Sequence, residues 1–251
     1  MNEVIYLSDR APVHMADAWF DIATVDDFWV KRRFDVMCKL AKDINFRGKK
    51  IGEIGCGHGL IQKQFETRLG VAVDGFELNE LALRKSIATG VPRYYYNIFD
   101  RAPQFQGGYD TLVLFDVLEH IEQEKPFLEA VLFHLKPGGN LIINVPAFMC
   151  LHSRYDQVMG HHRRYRFAML EQACATVGLS CLRRTYWGMP FVPLLLLRRM
   201  MLAPLTDPRE VTQRGFKPPG RLINRLLTAW GMLETIPQGL IGTSVMAIYR
   251  K

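Results

Sequence analysis

The sequence predicts an α/β fold: a mainly parallel, seven-stranded sheet with helices on both faces and a helical insert before the last strand. Three observations carry this. Apolar strand-like runs alternate with helix-like segments from Lys50 to Val177, which requires crossover connections between parallel strands. The fourth and fifth runs, DTLVLF at 110–115 and NLIINV at 140–145, are almost continuously apolar, as strands covered on both faces are. About 55 residues then separate the last two strand candidates, far more than the 2–6 residues of an ordinary connection.

The elements follow in order. Residues 1–23 show no clear period and read as an arm. Thr24 to Asp43 reads as a helix, with Thr24 as cap, Asp27 three residues on, and Phe28, Trp29, Met37 and Leu40 as its apolar face. Strands are expected at 50–54, 71–76, 94–98, 110–115, 140–145, 180–187 and 243–250. Helices are expected at 60–69 (closed by Gly70), 80–89 (closed by Gly90), 125–135 and 167–177 (closed by Gly178). Pro137-Gly138-Gly139 reads as a turn before the fifth strand. The stretch 188–242 contains helix-like pieces at 192–202 and 222–233. The expected division is an arm and lead helix over 1–48, then one domain over 49–251 with 188–242 as its insert.

Composition narrows the class. The 251 residues are 49% apolar and 23% charged, which excludes a disordered or fibrous chain. The longest apolar stretch, 191–205, is interrupted by Pro193, Arg198, Arg199 and Pro204, so no membrane span of roughly 20 apolar residues is expected. The start, MNEVIYLSDR, lacks the apolar core of a secretory signal. Five cysteines with no CxxC pair point to a reducing cytoplasm and to neither a disulfide framework nor a metal site. The net charge of +7 suits an anionic substrate, a membrane surface or nucleic acid, or simply a solvated basic surface.

The strongest local signal is Ile51-Gly-Glu-Ile-Gly-Cys-Gly-His-Gly-Leu60, between a strand and a helix. Gly55, Gly57 and Gly59 let the backbone bend tightly and let a ligand approach without meeting a Cβ. The spacing is neither GxGxxG nor a P-loop. Glu53, an acid just before the turn, disfavours a pyrophosphate and favours a cation, and a second acid, Glu77, ends the second strand. An acid at the position of Glu77 can accept the hydroxyls of a ribose.

These residues resemble the class I S-adenosylmethionine-dependent methyltransferases. The resemblance rests on EIGCGHG at 53–59, Gly75-Phe-Glu77, YDTLVLFDVLEHI at 109–121, and Leu135-Lys-Pro-Gly-Gly139, and covers roughly Lys50 to Phe148. It implies a Rossmann-like fold and S-adenosylmethionine as cofactor. By the same resemblance, Gly55, Cys56 and Gly57 line the methionine moiety, with Glu53 and Gly59 in the same turn. Glu77 binds the ribose, Leu78 and Ile98 sandwich the adenine, and Phe115 and Asp116 close the pocket. Asn97 stands where the family has an acid that contacts the adenine amino group.

Methyl transfer to a hydroxyl needs alignment and a base. His120 follows the fourth strand in a Leu-Glu-His that resembles methyltransferases acting on quinone-ring hydroxyls. His161, Arg163, Arg164 and Tyr165 lie in Gly160-His-His-Arg-Arg-Tyr165, similar to a Gly-His-x-Arg-Arg-Tyr segment of bacterial small-molecule methyltransferases. His120 and His161 are the candidate bases. Arg163, Arg164 and Tyr165 are candidate acceptor contacts, the alternative being a packed tyrosine and arginines paired with acids. His58 reads as local structure, and Asp27-Phe-Trp-Val-Lys-Arg-Arg33 as core that also lines the pocket. The apolar stretch 191–205 reads first as a helix packed on the sheet edge. Its alternatives are a cover over a hydrophobic acceptor or a contact with the membrane interface.

The function expected is methylation of a small hydrophobic or anionic acceptor, on oxygen, because Phe115-Asp-Val-Leu replaces the Asn/Asp-Pro-Pro-Tyr/Phe signature of nitrogen acceptors. An RNA methyltransferase and a non-catalytic S-adenosylmethionine-binding protein are the alternatives. No nucleic-acid partner is expected, since no long basic stripe or appended module is present. The location expected is cytoplasmic, at most membrane-peripheral.

Overall fold

The computed structural model describes residues 4–10, 17, 19–215 and 219–251; the remaining arm and insert positions lie outside the described residues. In chain order the strands are β1 (Val4–Tyr6), β2 (Ile51–Ile54), β3 (Asp74–Glu77), β4 (Arg93–Tyr95), β5 (Tyr109–Phe115), β6 (Leu135–Pro146), β7 (Ser180–Trp187) and β8 (Ser244–Arg250). The helices are α1 (Trp19–Ile22), α2 (Phe28–Leu40), α3 (Leu60–Leu69), α4 (Glu80–Arg84), α5 (Glu124–His134), α6 (Arg154–Val158), α7 (Phe167–Ala175), α8 (Val192–Leu202), α9 (Pro208–Gly215) and α10 (Arg221–Met232).

They build one sheet in the order β1-β4-β3-β2-β5-β6-β8-β7, parallel except that β8 runs antiparallel to both β6 and β7. The expected sheet is thus present with an eighth strand. The additional strand is β1, which the arm contributes by pairing Val4–Tyr6 with Arg93–Tyr95. Three residues at an edge, half in solvent, leave no periodic signal.

Alternation along the central strands divides the core in two. Leu112, Leu114, Leu141, Ile143, Val145, Ala247 and Tyr249 face the side covered by α5 and α7. Val113, Phe115, Ile142, Met246 and Ile248 face the side covered by α2 and α3, where Phe34, Met37, Leu40 and Phe65 meet them.

Several boundaries differ from expectation for identifiable reasons. α2 begins four residues late, because the Asp27 carboxylate accepts from the Thr24 amide and closes a turn ahead of the helix. α4 stops at Arg84, after which the chain turns back and the Ile87 amide donates to the His58 carbonyl. Pro137-Gly138-Gly139 is no separate turn. The Gly138 amide donates to Lys251 and the Lys251 amide to Gly139, so the segment is held within β6 against the chain's last residue. The expected packing of 191–205 on the sheet edge is also corrected. α8 packs instead on α6 and α9, over the ends of the parallel strands.

Candidate active site

The loops that follow β2 to β6 all emerge at the carboxyl end of the parallel strands, where an open α/β sheet binds ligands. They enclose a cavity of about 690 Å³, roofed by α1, the start of α2 and the insert. Of the residues expected at the cofactor site, Glu53, Gly55, Cys56, Gly57, Glu77, Leu78, Asn97, Ile98, Phe115 and Asp116 line it.

The turn after β2 is shaped by hydrogen bonds from the Gly55 and Cys56 amides to the Phe76 carbonyl. Gly55 and Gly57 take positive φ angles of 73° and 53°. Among the described residues a Cβ on Gly57 would meet the edge of Phe20, at 3.4 Å, and nothing else within 4 Å, so this glycine keeps the backbone open to the cavity. Gly59 does not line the cavity. It caps α3 and is closely surrounded by Ala88, Ser86 and Gln62.

Glu77 is buried and accepts three backbone amides: Leu78 (2.7 Å) and Asn79 (2.8 Å) on Oε1, and Gly57 (2.8 Å) on Oε2. Burial raises its pKa while these three bonds oppose the rise. Oε1 is saturated, and Oε2 retains one acceptor position. Glu53 is 3% exposed, and its Oε2 has no hydrogen-bond partner. Burial holds its pKa well above the ordinary range; Arg33 lowers it and Glu77 adds to the rise. A desolvated carboxylate with a free oxygen suits a cationic ligand group. Asn97 is already engaged, since its Oδ1 accepts from the Phe99 amide and caps a short 3₁₀ turn.

Asp116 closes the cavity wall with a left-handed backbone (φ 56°). Its carboxylate pairs with Arg33 and accepts from Asn144 Nδ2 at 2.7 Å, while Asn144 Oδ1 accepts from Trp187 Nε1 at 2.8 Å. The strain is held by partners from α2, β6 and β7.

The same cavity is lined by His120 and His161, their rings edge-on at 4.8 Å. His161 Nδ1 is 2.9 Å from Asp156 Oδ1. Burial opposes ionisation of Asp156, but the His161 hydrogen bond, Arg164 and Ser153 outweigh it and hold the carboxyl well below its usual range. An ionised Asp156 only accepts, so His161 Nδ1 is the donor of this bond. Burial, with His161 beside it, pulls the His120 imidazolium down to about 4, so its ring is neutral near pH 7. Glu119 is fully buried and neither carboxylate oxygen has a partner. One ligand atom each from Glu119, His120 and His161 lies within 4.8 Å of the others, a spacing able to hold a metal ion.

The acceptor contacts expected from the sequence divide. Arg164 lines the cavity but is held by Asp156 (2.7 Å) and the Ala147 carbonyl. Arg163 and Tyr165 do not line it. Arg163 pairs with Glu124 at 3.1 Å and donates to the Glu122 carbonyl, and the buried Tyr165 hydroxyl donates to Glu124 at 2.6 Å. His58 bonds the Ala23 carbonyl at 3.1 Å, a local structural role. Sequence reasoning missed Arg198 of α8. It lies in the cavity wall over the Tyr155 ring at 4.6 Å, its Nε without a partner, and burial lowers its pKa. Asp156 was visible in the sequence as an acid, but only the turn of α6 brings it to His161.

Residues 29–184 match the sequence model of a family described as a methyltransferase domain. The chain is 29% identical over 121 residues to the mitochondrial ubiquinone biosynthesis O-methyltransferase of Schizosaccharomyces pombe, covering 45% of this chain and 43% of that protein. It is 31% identical over 103 residues to the ubiquinone biosynthesis O-methyltransferase of Cupriavidus pinatubonensis, covering 39% and 41%. The match thus spans less than half the length of these curated relatives. Among solved structures it resembles a SAM dependent methyltransferase from Archaeoglobus fulgidus, with a TM-score of 0.54 and 14% identity over 89% of this chain and 96% of that one. That likeness concerns the fold, which is Rossmann-like.

Proposed function

Because this chain belongs to the methyltransferase domain family, we propose that it transfers a methyl group from S-adenosylmethionine to a hydroxyl of a small molecule. The observation that carries this is one cavity joining two chemistries. The glycine turn with Glu53 and Glu77, and His120 with the His161–Asp156 pair, line the same cavity.

S-adenosylmethionine would supply an electrophilic methyl on a sulfonium, with a cationic ammonium and no phosphate. The Gly55–Gly57 backbone would lie against its methionine part, and Glu53 Oε2 would receive the ammonium. Glu77 Oε2 would accept a ribose hydroxyl, and Leu78 and Ile98 would enclose the adenine. At the acceptor, His161 Nε2 takes the hydroxyl proton while Asp156 holds the ring and stabilises the imidazolium, an arrangement familiar from other proton-transfer sites. Arg198, which donates to the Gly215 carbonyl and forms no ion pair among the described residues, gives this region a desolvated cation that suits an acceptor carrying an anionic group. Tyr155, Phe191 and Leu195 enclose the rest in apolar surface.

A panel of phenolic and aliphatic hydroxyl acceptors, incubated with methyl-labelled S-adenosylmethionine and read by mass spectrometry, tests the reaction class. A positioned base contributes about 10²–10⁴-fold. His161→Ala is therefore expected to slow turnover at least about tenfold, with a smaller effect for His120→Ala. Unchanged rates in both variants would leave alignment as the whole mechanism.

A second reading is favoured by the two partnerless oxygens of Glu119 beside both histidines. Glu119, His120 and His161 would hold a divalent cation, which would acidify the acceptor hydroxyl. A chelator that abolishes turnover, with recovery on adding Mg²⁺, Mn²⁺ or Zn²⁺, selects this reading; full activity in chelator selects the metal-free one.

A further inference from the structure

The insert has an outward face that the cavity does not use. Along α8, Pro193, Leu196, Leu197, Met200 and Met201 recur at helical spacing and are all exposed, Met200 to 74%. Along α10, Leu222, Leu226, Ala229 and Leu233 do the same, with Leu222 at 72% and Leu233 at 79%, and Ile223 and Trp230 beside them. An apolar helical stripe ordinarily turns inward. Here the inward positions of α8 are instead Leu195, Arg198 and Leu202, and the first two of these line the cavity. The two helices meet at Phe191, whose ring lies 5.9 Å from Trp230 and also lines the cavity.

The charges accompany the apolar stripes. α8 and α10 contain four arginines and no acid, and residues 188–242 hold seven basic against three acidic residues. Arg199, Arg221 and Arg225 are exposed. No helix among the described residues is long and apolar enough to cross a membrane. Exposed apolar stripes with exposed arginines on helices of 11 and 12 residues are the composition of an interfacial helix lying in the headgroup region. The family match ends at residue 184, so this face belongs to the part of the chain beyond the shared domain.

We propose that α8 and α10 dock the protein onto an anionic lipid bilayer. One side of α8 then rests in the interface while its other side lines the cavity. What the docked face delivers is a hydrophobic, membrane-borne acceptor, and only that clause rests on the methyl-transfer reading above. Docking itself stands on the surface alone.

Flotation with vesicles of phosphatidylcholine alone, and of phosphatidylcholine with a third phosphatidylglycerol, tests it. The same samples are assayed for S-adenosylmethionine binding by calorimetry and for mass by sedimentation. The full chain should float with the anionic vesicles at least about tenfold more tightly than with the zwitterionic ones, and less tightly as salt rises. Trp230 emission should shift to the blue, a shift lost in Trp230→Phe. Leu197→Glu with Met200→Glu, and separately Arg221→Ala with Arg225→Ala, should each weaken flotation at least tenfold and leave cofactor affinity unchanged. The proposal is overturned if the monomer ignores anionic vesicles, or if it binds them equally well with these substitutions. A dimer that Leu197→Glu with Met200→Glu dissociates would also overturn it, since a second copy would then cover this face. Flotation without cofactor binding would leave docking intact and remove the methyl-transfer reading.

Discussion

Glu53 is a buried carboxyl that costs the unliganded fold stability when ionised, and the proposed cofactor role would give that cost a use. Its carboxylate is desolvated, and its raised pKa means the folded protein prefers the protonated form. The stability this group contributes is fully present below its unfolded pKa, near 4.5, and is lost as pH rises toward the folded value. Glu53→Gln keeps the shape and removes the charge. The unliganded variant is expected to melt above wild type at pH 8, with the difference vanishing near pH 4. Its affinity for S-adenosylmethionine should fall about 10- to 100-fold, as the loss of a charged hydrogen bond implies. Equal melting at both pH values, or unchanged affinity in calorimetry, would contradict the role given to this carboxylate. Glu77 differs, because three amides already compensate its charge. It locks the loops after β2 and β3 together whether or not a ligand is bound.

Among the elements, those marked by a continuous apolar run or a closing glycine were legible in the sequence. α3, β7 and α8 have the expected limits, and β5 extends by only one residue. Continuous apolar runs and helix-closing glycines specify such elements locally. β1, the shortened α4 and the position of the insert were not legible, because each depends on a distant partner: the edge of β4, the His58 carbonyl, and α6 with α9. The same holds within the site. The glycine turn and Glu77 are written in a short motif, whereas Arg198 and the pairing of Asp156 with His161 exist only once the insert and the loop after β6 are folded over the sheet. One such long-range tie is testable. Glu234 follows α10, is 2% exposed, pairs with buried Arg32 of α2 at 3.1 Å, and accepts from the Gly188 and Met189 amides at 2.9 Å each. Glu234→Ala strands a buried guanidinium and two amides, and a loss of about 3–5 kcal/mol is expected in denaturant unfolding. A loss below about 1 kcal/mol would mean that the insert is not fastened to the lead helix through this residue.

Taken as a whole, the molecule places two unlike electrostatic environments in the wall of one cavity. Glu53 and Glu77 stand at the glycine turn; Arg164 and Arg198 flank the single ionised Asp156 beside His161. On the proposed reading, a donor with a cationic amino-acid part and an acceptor with an anionic part would each find a complementary group. The central claim is that the first crossover of the sheet is an S-adenosylmethionine site, and calorimetric titration of that compound into the wild-type chain and into Gly57→Arg addresses it most directly. One-to-one binding by the wild type, and none by a variant whose circular dichroism matches it, is the predicted result. Absence of binding to the wild type, or equal affinity in the variant, would contradict it.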